Sequence, residues 1–243
     1  MTNAIKISDL SLIKNNKTIF SNITFEIEKG SLCAICGKNG AGKSLLLKVI
    51  KGLEKQSSGT IEINGKDLSK DKGKRIRALG MVFQNADFQI VSETVEKDIA
   101  FGLENIKHPN IEEKVDEVIE LLNLTKHRKQ RPSTLSGGEK RKTAIAGIIA
   151  MEADIIFLDE PFANLDYPSI VTVLHTLLDL KKLGFTIVVV THEIEKFLAH
   201  IDKVIILNEG KIAAIKDAKD SIEDLKKNEI FVPELPFEKI TWL

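Results

Sequence analysis

The sequence has no excess charge of either sign and no long apolar run. Its 243 residues include 35 basic and 35 acidic side chains, which gives a formal net charge of zero at pH 7. A protein whose main partner is nucleic acid usually has a basic excess or a basic face, so this balance argues against that class. The longest apolar run, Ala144 to Met151, is less than half of the roughly 18 to 20 residues that a membrane-spanning helix requires. We therefore expect a chain that does not cross a bilayer by itself.

A secretory signal is also missing from the start of the sequence. The opening residues, MTNAIKISDL, have neither the basic start nor the apolar core that such a signal needs. We therefore expect a cytosolic protein. At this length a chain buries roughly 70% of the surface that its unfolded form exposes, which is enough for one substantial core with a lobe attached.

Cysteine is scarce, and the two cysteines, Cys33 and Cys36, form a C-x-x-C pattern. This spacing could indicate a redox pair or half of a zinc site. A zinc site would need a second Cys or Cys/His pair, which the sequence does not contain. Residues three apart in a strand face opposite sides of a sheet, so we expect both side chains in a core strand. Two free thiols then fit a reducing cytosol.

Four short apolar runs predict strands that are covered on both faces, as in the parallel sheet of an α/β domain. The runs are Leu32 to Cys36, Ile155 to Leu158, Ile187 to Val190 and Val204 to Leu207. A helical pattern follows Pro168, and Gly184 stands where its C-terminal cap is expected. Helix and strand therefore alternate along this part of the chain.

Two other regions depart from that alternation. Asn64-Gly65 predicts a two-residue hairpin, and with the alternating stretch from Ser21 to Ile27 it suggests a small antiparallel sheet. Asn110 and Glu113 resemble a capping box at the start of a helix. We therefore predict an α/β fold with a mostly parallel sheet, a small antiparallel β subdomain and an inserted helical subdomain. Only the charge-rich run from Lys216 to Asn228 is expected to be loosely ordered or a solvated helix face.

Residues 37–44 read G-K-N-G-A-G-K-S and match G-x-x-x-x-G-K-[ST], the phosphate-binding loop. An apolar strand enters the loop and a helical pattern leaves it, so backbone N–H groups and a helix N-terminus would face an anion. Lys43 would reach the β- and γ-phosphates, and the Ser44 hydroxyl would ligate Mg²⁺. The other predicted phosphate contacts are Gly37, Asn39, Gly40, Ala41 and Gly42. The loop predicts a P-loop NTPase core.

Asp159 and Glu160 follow directly after the apolar run Ile155 to Leu158. The carboxyl ends of parallel strands form the edge at which open α/β sheets bind ligands. We expect Asp159 to hold magnesium through water and Glu160 to take a proton from the attacking water. These residues predict hydrolysis of the bound nucleotide.

A second anion-binding helix start is predicted at Leu135-Ser136-Gly137-Gly138-Glu139, where a serine and two glycines precede an apolar helix. This segment resembles the L-S-G-G-Q signature of the ATP-binding cassette (ABC) family. The resemblance implies a single ABC ATPase domain with ATP and Mg²⁺ as ligands. It also implies that two subunits pack head to tail, each ATP lying between one loop and the partner's signature. Glu139 replaces the family's glutamine, and we expect this change to be tolerated.

Three further residues match the family in order. Gln84 resembles the glutamine that contacts magnesium and water, Asp166 ends an A-N-L-D that is similar to the interface D-loop, and His192 resembles the switch histidine at the γ-phosphate. The resemblance divides the chain into a nucleotide-binding core (about 1–85 and 151–230), a helical lobe (about 86–150) and a C-terminal tail (231–243). At the position of the usual adenine-stacking aromatic, the sequence has Lys14 beside Ile13, with Phe20 as a substitute candidate.

The form L-S-G-G-E also resembles chromosome-organising and DNA-repair ATPases of the same superfamily. Those proteins place long coiled-coil arms between loop and signature, and no sustained heptads separate Ser44 from Ser136. This favours a transporter ATPase. A soluble ABC ATPase acting on DNA or ribosomes, a regulatory module that binds ATP without turnover, and a transporter ATPase of another subfamily remain alternatives.

Within transporters, Val82 to Ile90 and Thr94 to Gly102 resemble the ATPases of energy-coupling-factor (ECF) importers for vitamins, cobalt or nickel. The resemblance implies an integral membrane subunit and a second ATPase, identical or paralogous, and a place on the cytosolic face of the membrane. We expect an apolar groove beside Gln84 to receive the membrane subunit; its candidate lining is Phe88, Ile90 and Val91, which could instead be lobe core. The sequence ends at Leu243, so we do not expect dimerisation through the longer C-terminal extension that family members often carry.

Overall fold

The computed structural model describes residues 2–243, which form two sheets and a set of helices. In chain order the strands are β1 (Asn3–Lys14), β2 (Lys17–Glu28), β3 (Leu32–Cys36), β4 (Ser58–Ile63), β5 (Lys66–Asp67), β6 (Leu79–Val82), β7 (Ile155–Asp159), β8 (Thr186–Val190), β9 (Lys203–Asn208) and β10 (Lys211–Asp217). The α-helices are α1 (Lys43–Lys51), α2 (Lys72–Ala78), α3 (Val95–Asn105), α4 (Ile111–Leu121), α5 (Gly137–Ala150), α6 (Tyr167–Lys182) and α7 (Ile222–Lys227). None of the helices in this part of the chain is both long and apolar enough to span a membrane.

The larger sheet has the strand order β10-β9-β3-β8-β7-β6. Its strands run parallel from β9 to β6, and β10 pairs with β9 in the antiparallel sense. Every residue of β3, β7 and β8 is buried, as the apolar runs predict. The predicted mostly parallel α/β sheet is confirmed.

The two cysteines of β3 face opposite sides of this sheet. Cys33 packs with one hydrophobic cluster and Cys36 with the other. Both are free and buried, and burial raises the pKa of both thiols, that of Cys33 to about 12. The core-strand interpretation is confirmed, because such thiols form neither a pair nor reactive thiolates.

The smaller sheet is antiparallel, with the order β2-β1-β4-β5. Asn64 and Gly65 join β4 to β5 with positive φ at both positions (50° and 73°), which is the geometry of a type I′ hairpin. Asn15 and Asn16 make an equivalent turn between β1 and β2, also with positive φ (51° and 59°). The predicted antiparallel sheet is confirmed and extends back to Asn3.

Residues 86–150 contain helices and turns. Asn110 caps α4, but its side chain accepts no hydrogen bond there, so the predicted capping box at Asn110 and Glu113 is wrong. The expectation of loose order from Lys216 to Asn228 is also wrong. That stretch contains the end of β10 and all of α7, with Leu225 buried against the core.

The strand order decides where the site lies. Because β3, β8, β7 and β6 are adjacent and parallel, their carboxyl ends meet at one edge of the sheet. The phosphate loop follows β3, His192 follows β8 and Gln84 follows β6. Asp159 is the last residue of β7, and Glu160 comes directly after it. Segments far apart in sequence therefore converge at that edge.

Candidate nucleotide-binding site

The phosphate loop joins β3 to α1, and two of its glycines are required by the packing or the backbone. A Cβ atom on Gly37 would lie 2.0 Å from the carbonyl oxygen of Leu207 in β9. Gly42 caps α1 with a left-handed φ of 97° and supplies no side-chain hydrogen bond to the helix. The first N–H groups of α1 are thus left for an anion.

Lys43 lies inside this loop, only 6% exposed. Its Nζ donates to the carbonyl oxygens of Gly37 at 2.7 Å and Lys38 at 3.1 Å. Burial lowers the pKa of Lys43, and the nearby Glu160, Cys36 and Asp159 act in the opposite direction. An ammonium held in the loop by two backbone carbonyls is suited to bind phosphate oxygens.

Ser44 and Asp159 form the second part of the site. The Ser44 hydroxyl donates to Oδ1 of Asp159 at 2.7 Å. Burial raises the pKa of Asp159, an effect that the bond from Ser44 opposes and the neighbouring Glu160 reinforces. A hydroxyl and a carboxylate are the oxygen ligands that Mg²⁺ prefers, so these residues fit the predicted ion.

Glu160 and His192 lie side by side at the ends of β7 and β8. The Glu160 N–H donates to the carbonyl of Val190 at 2.8 Å, which aligns the two segments, and Nδ1 of His192 is 3.0 Å from Oε1 of Glu160. Glu160 has a left-handed φ of 47°, a strained conformation for a non-glycine residue. Within residues 2–243, its buried Oε2 has no hydrogen-bond partner. This oxygen is available to a water, as a general base requires.

Gln84 lies at the same edge with an exposed side chain. Its carbonyl oxygen accepts a hydrogen bond from Arg141, a buried residue of α5. Arg141 also donates to the carbonyls of Phe83 at 2.6 Å and Pro161 at 3.2 Å. One side chain therefore ties the signature helix to the segments that carry Gln84 and Glu160. Arg141 could not be predicted from the sequence, because a basic residue on a helix gives no signal of what it will contact.

The signature segment forms the start of α5, with Ser136 as its cap. Glu139 donates its N–H to the Ser136 hydroxyl at 3.3 Å, and its carboxylate accepts from the Ser136 N–H at 2.7 Å. Nε2 of His127 lies 3.1 Å from the same carboxylate. Burial raises the pKa of Glu139, but the bonds from Ser136 outweigh that effect and the net shift is downward. Glu139 thus completes a capping box, which accounts for a charged residue at this position.

The two signature glycines lie against the segment that carries Asp166. A Cβ atom on Gly137 would lie 2.4 Å from Leu165, and one on Gly138 would lie 3.0 Å from the backbone of Ser169. Asp166 caps α6 by accepting a bond from the Ser169 N–H at 3.1 Å. Within residues 2–243, none of the hydrogen bonds of the signature reaches the phosphate loop.

The capping box leads to a stability prediction. Replacing Glu139 by alanine should lower the free energy of unfolding by about 1 kcal/mol, because the Ser136 N–H loses its acceptor. Glutamine retains an acceptor oxygen, so Glu139→Gln should change it by less than about 0.5 kcal/mol. Denaturant unfolding measures both. Glu113→Ala is the matched control, since Glu113 holds the same position in α4 without a capping box. Equal losses in Glu139→Ala and Glu113→Ala would contradict the assignment.

The adenine contact differs from the expectation. Phe20 is fully buried beneath the loop, near Gly42, so the suggestion that it stacks on the base is wrong. Ile13 is 56% exposed at the end of β1, and Lys14 beside it pairs with Glu54 at 2.7 Å. An apolar side chain and an ion pair occupy the end of this hairpin.

Apolar side chains beside Gln84 are exposed. Phe88 is 86% and Val91 63% exposed, so the alternative that these two belong to the lobe core is wrong. Ile90 and Val91 line a groove of about 590 Å³, whose wall also includes Lys129 and Arg131. Phe88 does not line that groove.

Comparison with known proteins agrees with this geometry. The family model described as ABC transporter matches residues 20–163. The energy-coupling factor transporter ATP-binding protein EcfA1 of Lacticaseibacillus paracasei is 39% identical over 88% of this chain and 79% of its own length. EcfA of Methanocaldococcus jannaschii is 35% identical over 89% of this chain and 81% of its own.

Solved structures give the same result. CbiO1 from Clostridium perfringens, described as part of the ABC transporter complex CbiONQ, has a TM-score of 0.85 and 30% identity over 93% of both chains. A nucleotide-free ATP-binding cassette from an ABC transporter has a TM-score of 0.84 at 22% identity, a likeness of fold alone. With the loop, the Asp159-Glu160 pair and the signature in place, the chain belongs to the ABC transporter family and, within it, to the energy-coupling factor transporter ATP-binding proteins.

Proposed function

We propose that the chain is the ATP-hydrolysing subunit of an ECF-type importer, for a vitamin or a transition-metal ion. The observation that carries the proposal is the meeting of two pairs at one sheet edge: Ser44 with Asp159, and Glu160 with His192. Together they provide a cation site and a base beside a phosphate loop. Two such subunits would close head to tail around two ATP molecules and drive a membrane subunit.

Each residue has a distinct part in this proposal. The loop and Lys43 bind the phosphates, while Ser44, Asp159 and Gln84 would hold Mg²⁺. When bound, the ion neutralises charge that develops on the phosphate oxygens. Oε2 of Glu160 takes the proton of the attacking water, and His192 orients the carboxylate through Oε1. Ser136, Gly137, Gly138 and Asp166 would complete the site of the partner subunit.

Isolation from native membranes tests the assembly. We expect the chain to co-purify with an integral membrane subunit and a second ABC ATPase, either identical or paralogous. The proposal places the chain at the cytosolic face through these partners. Recovery without a membrane subunit, together with hydrolysis stimulated by nucleic acid, would contradict it.

We further propose that the exposed apolar residues beside Gln84 contact the membrane subunit. Phe88→Glu should abolish co-purification with that subunit, because it places a charge in an apolar contact. ATP hydrolysis by the isolated chain should be unchanged, since Phe88 is exposed and outside the site.

Leu183→Glu is the control for this variant. Leu183 is 57% exposed, but it precedes β8 and so lies at the opposite edge of the sheet. We expect normal assembly with Leu183→Glu. Normal assembly with Phe88→Glu as well would show that Phe88 is not part of the contact.

A further inference from the structure

The C-terminal segment packs against the residues that follow His192. Trp242, the only tryptophan of the chain, donates its backbone N–H to the carbonyl of Lys196 at 2.9 Å. Its indole lies 4.8 Å from Nζ of Lys196. Two bonds hold the neighbouring residues in place: Ala199 N–H to the Ile240 carbonyl at 3.1 Å, and Nε2 of His200 to the Thr241 hydroxyl at 3.0 Å. The segment is therefore anchored to the turn after His192.

Trp242 also contacts the start of α6. The hydroxyl of Tyr167, the only tyrosine of the chain, donates to the Trp242 carbonyl at 3.1 Å. The two rings lie 5.7 Å apart. Tyr167 directly follows Asp166, so a single residue bridges the segment of His192 and the segment of Asp166.

Lys196 connects this bridge to the site. It is 5% exposed, and its ammonium pairs with Glu193, the neighbour of His192. The ammonium also lies 5.9 Å from the ring centre of Phe162, two residues after Glu160. A buried cation between two aromatic rings and a carboxylate has little freedom to move, because displacement would leave its charge unpaired.

We infer that Trp242 is a positioning residue, which fixes the segments of His192 and Asp166 relative to each other so that they move as one unit when two subunits close. This inference rests on the proposed roles of His192 and Asp166. Without the Trp242 indole, the ring contacts with Lys196 and Tyr167 are lost and only backbone hydrogen bonds of residue 242 join the two segments. Each segment could then shift separately, and the two halves of the shared site would no longer align together. We expect the loss in turnover and not in ATP binding, since the hydrogen bonds, ion pair and ring contacts of Trp242 and Lys196 go to residues outside the phosphate loop.

Steady-state ATPase kinetics of single variants test the inference. Trp242→Ala should lower kcat about tenfold with KM for ATP within about twofold, since small misplacements of catalytic groups reduce turnover more than binding. Trp242→Phe keeps an aromatic face over Lys196 and should restore most of the activity. Phe231→Ala is the control, because Phe231 is a 67% exposed side chain earlier in the tail. Unchanged kcat in Trp242→Ala would overturn the inference.

Two further measurements test the inference even if Trp242→Ala does not fold. Tyr167→Ala changes a 58% exposed side chain and removes the other end of the bridge, so an unchanged kcat there would also overturn the inference. Lys196→Met should change the emission of Trp242 in the otherwise native chain, and unaltered emission would contradict the contact. If the unmodified chain hydrolyses ATP, an unchanged kcat in the variants contradicts only the inference about Trp242. If the unmodified chain does not hydrolyse ATP, the proposed function fails as well.

Discussion

Replacing Glu160 by glutamine is expected to reduce ATP turnover at least about 100-fold while leaving ATP affinity within about threefold. Glutamine has nearly the same shape but cannot take a proton from water. The phosphate loop and Lys43 remain intact, so binding should persist. Phosphate release in the steady state measures turnover, and equilibrium binding of labelled ATP measures affinity.

A trapped ATP should also change the association of the subunits. Because ATP would lie between two chains, its retention favours the dimer by mass action. We expect Glu160→Gln to elute as a dimer in the presence of Mg·ATP and as a monomer without it. The unmodified chain should show less dimer, because hydrolysis removes the ligand that joins the subunits.

Glu229→Gln is the matched control for this variant. Glu229 is another carboxylate at the phosphate loop, where it pairs with Lys38 at 2.7 Å, but it is mostly exposed. Exposed ion pairs contribute little, so its turnover should stay within about twofold of the unmodified chain. Turnover of Glu160→Gln at the unmodified rate would show that Glu160 is not the base.

The central sheet and the phosphate loop could be predicted because each has a recognisable local sequence pattern. Buried parallel strands are continuous apolar runs, and Gly37 to Ser44 contains the glycines that its own backbone requires. Asp159 and Glu160 could be placed because they follow such a strand. The convergence at one sheet edge then follows from parallel pairing alone.

The remaining features depend on contacts between residues far apart in sequence. Phe20 has an aromatic ring that could stack on a base, and only the packing of β2 beneath the loop shows that this ring is buried. Asn110 caps its helix through its backbone position and not its side chain. Arg141 donates to backbone carbonyls, and Trp242 forms its hydrogen bonds through its own backbone N–H and carbonyl. Any sequence provides such backbone groups, so no pattern of residue types could indicate these contacts.

Arg141→Ala is expected to cause the largest loss of stability among the variants proposed for this chain. Arg141 is 4% exposed and donates to the carbonyls of Phe83, Gln84 and Pro161. Its removal takes the donor from the buried carbonyl of Pro161 and from two partly buried carbonyls, at a cost of about 3 kcal/mol in the free energy of unfolding. For a chain of this size, that loss lowers Tm by about 6 to 12 °C.

Thermal unfolding of Arg141→Ala and Lys140→Ala separates this effect from a general weakening of α5. Lys140 is the preceding residue of the same helix, and its Nζ pairs with Asp87 at 2.6 Å near the surface. Lys140→Ala should lower Tm by less than about 4 °C, because such pairs contribute below about 1 kcal/mol. A similar small shift in Arg141→Ala would show that the three carbonyls find other partners. A large shift in Arg141→Ala alone would establish that the three hydrogen bonds of one arginine join the signature helix to the segments of Gln84 and Glu160.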